Sequence, residues 1–143
     1  MTEVSFHFNV PDRTGYTCRL VRKAHRMGAT VVLAGPAQAL THFDRALWTF
    51  EDLEFLPHVM LHPGQAIEPR WNTTRVWLAQ DASQPGQHDV LVNLGAKAPA
   101  GFESFGKVIE IVSVDPAERA AARERWRHYA SRGYTIHKHE VAA

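Results

Sequence analysis

The sequence predicts an α/β fold, with residues 1–143 forming one domain in which helices cover both sides of a mostly parallel central sheet. Three observations carry this. The first third of the chain alternates between strand-like and helical periodicity, the rhythm of right-handed crossovers onto parallel strands. The stretch Val108–His139 repeats that rhythm as a strand, a well-capped helix, a glycine break and a short alternating strand. The composition, 45% apolar and 22% charged over 143 residues, is that of a globular chain able to bury about two-thirds of its unfolded surface. The expected architecture is a Rossmann-like three-layer sandwich.

In chain order, Val4, Phe6 and Phe8 alternate with Ser5 and His7, which predicts a strand over Val4–Asn9. Pro11–Gly15 is a turn, and Tyr16–Met27 has helical spacing at Thr17, Leu20 or Val21, Ala24 and Met27, closed by Gly28. Cys18 lies beside that stripe and reads as a small core or near-core residue, with no base evident to activate it; as the only cysteine it allows no intrachain disulfide. Thr30–Ala34 is a strand, and Gly35 and Pro36 lead into a helix over Ala37–Leu47.

The segment Ala46–His62 crowds Trp48, Phe50, Phe55 and Leu56 around an acidic stretch, Glu51–Glu54. Some of these rings belong to the core; the crowding leaves one or two for contact with another protein. Pro63–Asn72 is a loop, Thr74–Ala79 a strand, Gln80–His88 a polar connection, Asp89–Leu94 a strand and Gly95–Gly101 a loop. Val108–Val112 is the last strand before the best-defined helix.

That helix is predicted over Pro116–Arg132. Asp115 is its N-cap, Pro116 suits the first turn, Glu118 is placed as a capping-box partner, and Gly133 closes it. At about 100° per residue, Ala122, Trp126 and Tyr129 form the inward stripe while Arg119 and Arg123 rise beside Trp126. Two readings follow. A ring flanked by guanidiniums suits a ligand with an apolar group and a carboxylate. Arginines on a helix are, more ordinarily, a solvated face that pairs with Glu118 and Glu124, and the residues by themselves favour that reading.

Several function classes are disfavoured. A net charge of +1 argues against a broad electrostatic grip on nucleic acid. The turns after the first two strands, NVPDRTG and AGPAQA, hold neither G-x-G-x-x-G nor a phosphate-loop lysine. There is no G-x-S-x-G, no H-E-x-x-H and no cysteine cluster, and Glu51, Asp52 and Glu54 read as a solvated turn. His58 and His62 have zinc-pair spacing for a helix, but Pro57 interrupts any such helix; His137 and His139 read as an exposed pair near the chain end. No metal or cofactor is expected. The opening MTEVSFHFNV lacks a basic n-region, and no apolar run approaches the roughly 18 residues that span a bilayer, so a cytoplasmic protein is expected. Binding is favoured over catalysis; the competing reading is a nucleotide- or small-molecule-binding α/β enzyme with its site at the strand ends near Asn9–Gly15 and Gly35.

Ala46-Leu47-Trp48, then Phe55-Leu56-Pro57-His58, then DVLVNL from Asp89, IEIV from Ile109 and ARERWRHYASRGY from Ala122 occur in an order and spacing that resembles the chi subunit family of the bacterial DNA polymerase III holoenzyme over nearly the whole chain. The resemblance implies a non-catalytic Rossmann-like protein without a cofactor, associated with the clamp loader in DNA replication. It implies binding of the acidic, phenylalanine-ended C-terminal tail of single-stranded DNA-binding protein at Val112, Arg119, Arg123 and Trp126. It further implies a second surface at Trp48, Phe55 and Pro57 for a psi-type subunit or an accessory helicase, with nucleic acid reached only indirectly. The family usually carries tyrosine or phenylalanine at the position of Trp126, and the Gln80–His88 loop has no clear counterpart in it.

Overall fold

A computed structural model of the chain describes residues 2–50 and 56–141. Its β-rich runs assemble into one sheet of seven strands, every pairing parallel, in the order β3-β4-β2-β5-β6-β1-β7. The strands are β1 (Glu3–Val10), β2 (Val31–Ala34), β3 (Val59–Met60), β4 (Val76–Ala79), β5 (Val90–Asn93), β6 (Lys107–Ser113) and β7 (Ile136–Glu140). Among the described residues the helices are α1 (Arg13–Arg26), α2 (Ala37–Thr49) and α3 (Pro116–Ser131), with short 3-10 turns at Pro69–Trp71 and Phe102–Ser104.

The pleat divides the core. Ile109 and Ile111 of β6, with Leu33, Leu78 and Val92, face Val21, Leu40, Phe43 and Leu47 of α1 and α2. Val108 and Val112, with Val4 and Phe6, face Ala122 and Tyr129 of α3. Central strands buried on both faces read as near-continuous apolar runs, and VVLA and VWLA are fully buried. The expected α/β sandwich is the observed one.

The differences from expectation are local. Helix α1 begins inside the predicted turn, because Asp12 caps it by accepting from the Gly15 amide at 3.1 Å. Met27 is not part of the α1 stripe: it is the C-cap residue and 76% exposed. Cys18 is fully buried in the core, and that burial raises its thiol to about 11. The short strand β3 was hidden in the aromatic segment. The capping box of α3 does not form: Asp115 caps the Ala117 amide, while Glu118 turns away and accepts from Ser113 Oγ at 2.7 Å. Gly133, at φ 81°, closes α3 as expected.

Candidate functional site

Helix α3 rests on β6 and β1, and what fixes it there is polar. Glu110 stands in the middle of an apolar strand with no exposure, and a carboxylate so placed needs donors. It has three. Arg125 Nε donates at 2.8 Å to one oxygen; the Tyr129 hydroxyl at 2.7 Å and Asn93 Nδ2 at 2.9 Å donate to the other. Arg125 also donates to the Ala96 carbonyl at 3.2 Å, tying the β5–β6 loop to the helix. Burial pushes the Glu110 carboxyl upward against the pull of Arg125 and the other donors. Burial and the neighbouring carboxylate push the Tyr129 phenol far above its usual range, so it remains a donor. This network turns Arg125 inward and sets the rotation of the helix.

With α3 so held, its other edge overhangs β1 and β7 and a groove of about 440 Å³ opens between them. Phe6, Phe8, Val112 and Ala122 give it an apolar lining. Trp126 forms part of the wall, half-buried, its ring centroid 4.9 Å from that of Phe6. Arg119 and Arg123 line it from the helix, Lys138 from β7 and Asn9 from the end of β1. Among the described residues no acidic side chain lines the groove and neither arginine makes an ion pair. Chemically this is a receptor for an anion attached to an apolar group: contact area and dispersion from the ring and the apolar lining, forked donors at the edge.

The four positions Val112, Arg119, Arg123 and Trp126 thus come together in one groove. Phe6, Phe8, Asn9 and Lys138 share it, and the sequence did not assign them to a site with these four. Only strand register could have found them: β1 and β7 pair in parallel with Phe6 opposite Lys138, putting both side chains on the α3 face.

At the other end of the molecule Trp48 is 47% exposed near the end of α2, and Pro57 is exposed. Phe55 lies outside the described residues. The Trp48 ring packs on buried His58, centroids 4.3 Å apart. His58 Nδ1 donates to the Leu56 carbonyl at 2.8 Å and Nε2 lies 3.0 Å from the Asp44 carboxylate. The ring of His58 is therefore committed to the scaffold beneath Trp48, while His62 is exposed. Among the described residues no group of three or more His, Cys, Asp or Glu is placed to hold a metal ion, and no helix is long and apolar enough to cross a membrane.

The strand ends near Asn9–Gly15, where an enzyme reading would put its site, are otherwise engaged. The Asp12 carboxylate occupies the amide at the start of α1, and a Cβ on Gly15 would meet it at 2.3 Å. Gly35 packs against the chain just after β5, where a Cβ would stand 2.9 Å from that of Leu94. These glycines serve packing and capping, not a phosphate cradle.

The fold and groove define a class: a Rossmann-like α/β protein with an apolar groove edged by cations that make no ion pair among the described residues. A sequence profile described as "DNA polymerase III chi subunit, HolC" matches residues 1–137. The chain is 35% identical over 149 aligned positions to DNA polymerase III subunit chi of Pseudomonas aeruginosa, covering 99% of this chain and 98% of that protein. It is 30% identical over 126 positions to the subunit of the same name from Haemophilus influenzae, covering 87% and 84%. The chain belongs to the DNA polymerase III chi subunit family.

Proposed function

We propose that this protein is a non-catalytic accessory subunit of the replicative DNA polymerase III holoenzyme that binds the acidic C-terminal tail of single-stranded DNA-binding protein in the α3 groove. The observation that carries the reading is the groove itself: an apolar lining beside two arginines with no counter-ion among the described residues. A peptide's terminal carboxylate meets Arg123 and Arg119, its last side chain packs between Val112 and Trp126, and acidic residues upstream provide salt-sensitive steering. The exposed Trp48, with Pro57 and Phe55, is the surface for a psi-type clamp-loader subunit or an accessory helicase, so that the protein works as an adaptor in the cytoplasm and reaches DNA through its partners.

The test is calorimetric titration with an acidic peptide ending in proline-phenylalanine, beside the same peptide amidated at its C-terminus. Micromolar binding by the free acid that disappears on amidation is the expected result. Equal binding of the two, or binding by neither, refutes the tail reading. For the second surface, Trp48→Ala is expected to abolish capture of a purified psi-type subunit while leaving the peptide titration unchanged.

A further inference from the structure

The groove has two cationic banks, and only one is accounted for by a single carboxylate. Arg119 and Arg123 stand on α3; Lys138 stands across from them on β7, its ammonium 5.6 Å from the centroid of the Trp126 ring. Among the described residues Lys138 makes no ion pair. The acid placed to take it is Glu140, two residues along the same strand and therefore on the same face. That carboxylate is instead engaged by Asn9, whose Nδ2 donates to Glu140 Oε1 at 2.9 Å. Asn9 reaches it from an unusual backbone: φ is 59°, at the register shift between His7 and Val10 in the β1–β6 pairing. Asparagine is among the few non-glycine residues that adopt this region readily.

We propose that Lys138 is a specificity-determining residue of the groove, reading a second anionic group of a bound peptide upstream of its terminal carboxylate, and that Asn9 keeps it available by holding Glu140. The inference rests on the peptide-tail reading above and adds what that reading leaves open: why the site distinguishes a multiply acidic tail from any peptide end. A lysine suits the task, because its flexible point charge follows an aspartate at varying distance, where an arginine fork demands one geometry.

The test uses two peptides with the same last two residues and a free C-terminus, one with aspartates upstream and the other with asparagines in their place. Wild-type protein is expected to prefer the acidic peptide by about fivefold at low salt. Lys138→Met is expected to bring that preference close to one, by losing more affinity for the acidic peptide than for the asparagine peptide. Asn9→Gly, which tolerates the positive φ, is expected to reduce the preference, and adding Glu140→Gln to it to restore the preference. A Lys138→Met protein that keeps the preference, or that loses affinity equally for both peptides, overturns the proposal. An unchanged preference in Asn9→Gly overturns the part assigned to Asn9. A wild-type protein that binds neither peptide removes the tail reading itself, a result separable from all of these.

Discussion

Arg123 and Arg125 are two residues apart on one helix and serve opposite ends. Arg125 is 7% exposed, paired with a fully buried glutamate and bonded to a loop carbonyl. Arg123, like Arg119, is exposed at the groove and makes no ion pair among the described residues. A buried charge has value only through its partner, so Arg125 belongs to the scaffold; a desolvating ligand gives value to an unpaired rim charge, so Arg123 belongs to binding. The helix separates the roles by about 200° of rotation, and the buried pair is what holds that rotation in place.

The sharpest way to break the contrast is to remove the buried partner. Arg125→Ala strands an ionised Glu110 inside the sheet and is expected to cost about 3–5 kcal/mol of stability, measured by urea unfolding. A loss below 1 kcal/mol would mean that Tyr129 and Asn93 satisfy the carboxylate without it. Arg123→Ala reverses the pattern: stability within about 0.5 kcal/mol of wild type, and affinity for the acidic tail peptide down about tenfold or more, roughly 1.5 kcal/mol.

The next contrast is between paired ions and a polar pair held neutral. His7 lies against Tyr16, its Nδ1 hydrogen-bonded to the phenol, and burial with nearby His139 and Lys107 lowers it from 6.5 to about 4. A histidine lowered on folding takes up its proton more readily when unfolded. Its contribution is therefore complete above pH 6.5 and lost as the pH falls toward 4, a decline of about 1–2 kcal/mol after allowance for the solvent that reaches the ring. His7→Gln is expected to flatten this part of the stability-against-pH curve, although lowered His25 leaves some slope; an unaltered curve would show that His7 is not its source. The smallest effect is expected on the outer face of α3, where Arg127 pairs with Glu124 and both side chains are exposed. Glu124→Ala is expected to change thermal stability by less than about 0.5 kcal/mol and to leave peptide affinity unchanged.

Legibility followed the range of the interactions. The α/β alternation, the start of α3 at Asp115–Pro116 and the stripe Ala122–Trp126–Tyr129 are set by local periodicity and capping, and were readable. Arg119 and Arg123 were readable as neighbours of Trp126, since one turn of helix fixes that. The ambiguity between a solvated face and a binding edge was not resolvable, because it depends on Phe6, Phe8 and Lys138, brought there by parallel pairing of β1 with β7 across more than 120 residues of chain. Arg125 carried no local mark of burial. The signal for it lay elsewhere, in Glu110: an acid between two isoleucines in a central strand requires a buried donor, and α3 is the next element to supply one. The failed capping box has a similar origin, since Ser113 offered Glu118 a nearer partner than the local rule anticipates.

The measurement that bears most directly on the groove is a two-dimensional NMR titration of the labelled protein with the acidic, phenylalanine-ended peptide. The amides of Val112, Ala122, Arg123, Trp126 and Lys138 and the Trp126 indole are expected to shift together with one saturation curve, while Trp48 stays still. Shifts centred on Trp48, or scattered at the strand ends near Arg13 and Gly35 with the groove silent, would contradict the assignment.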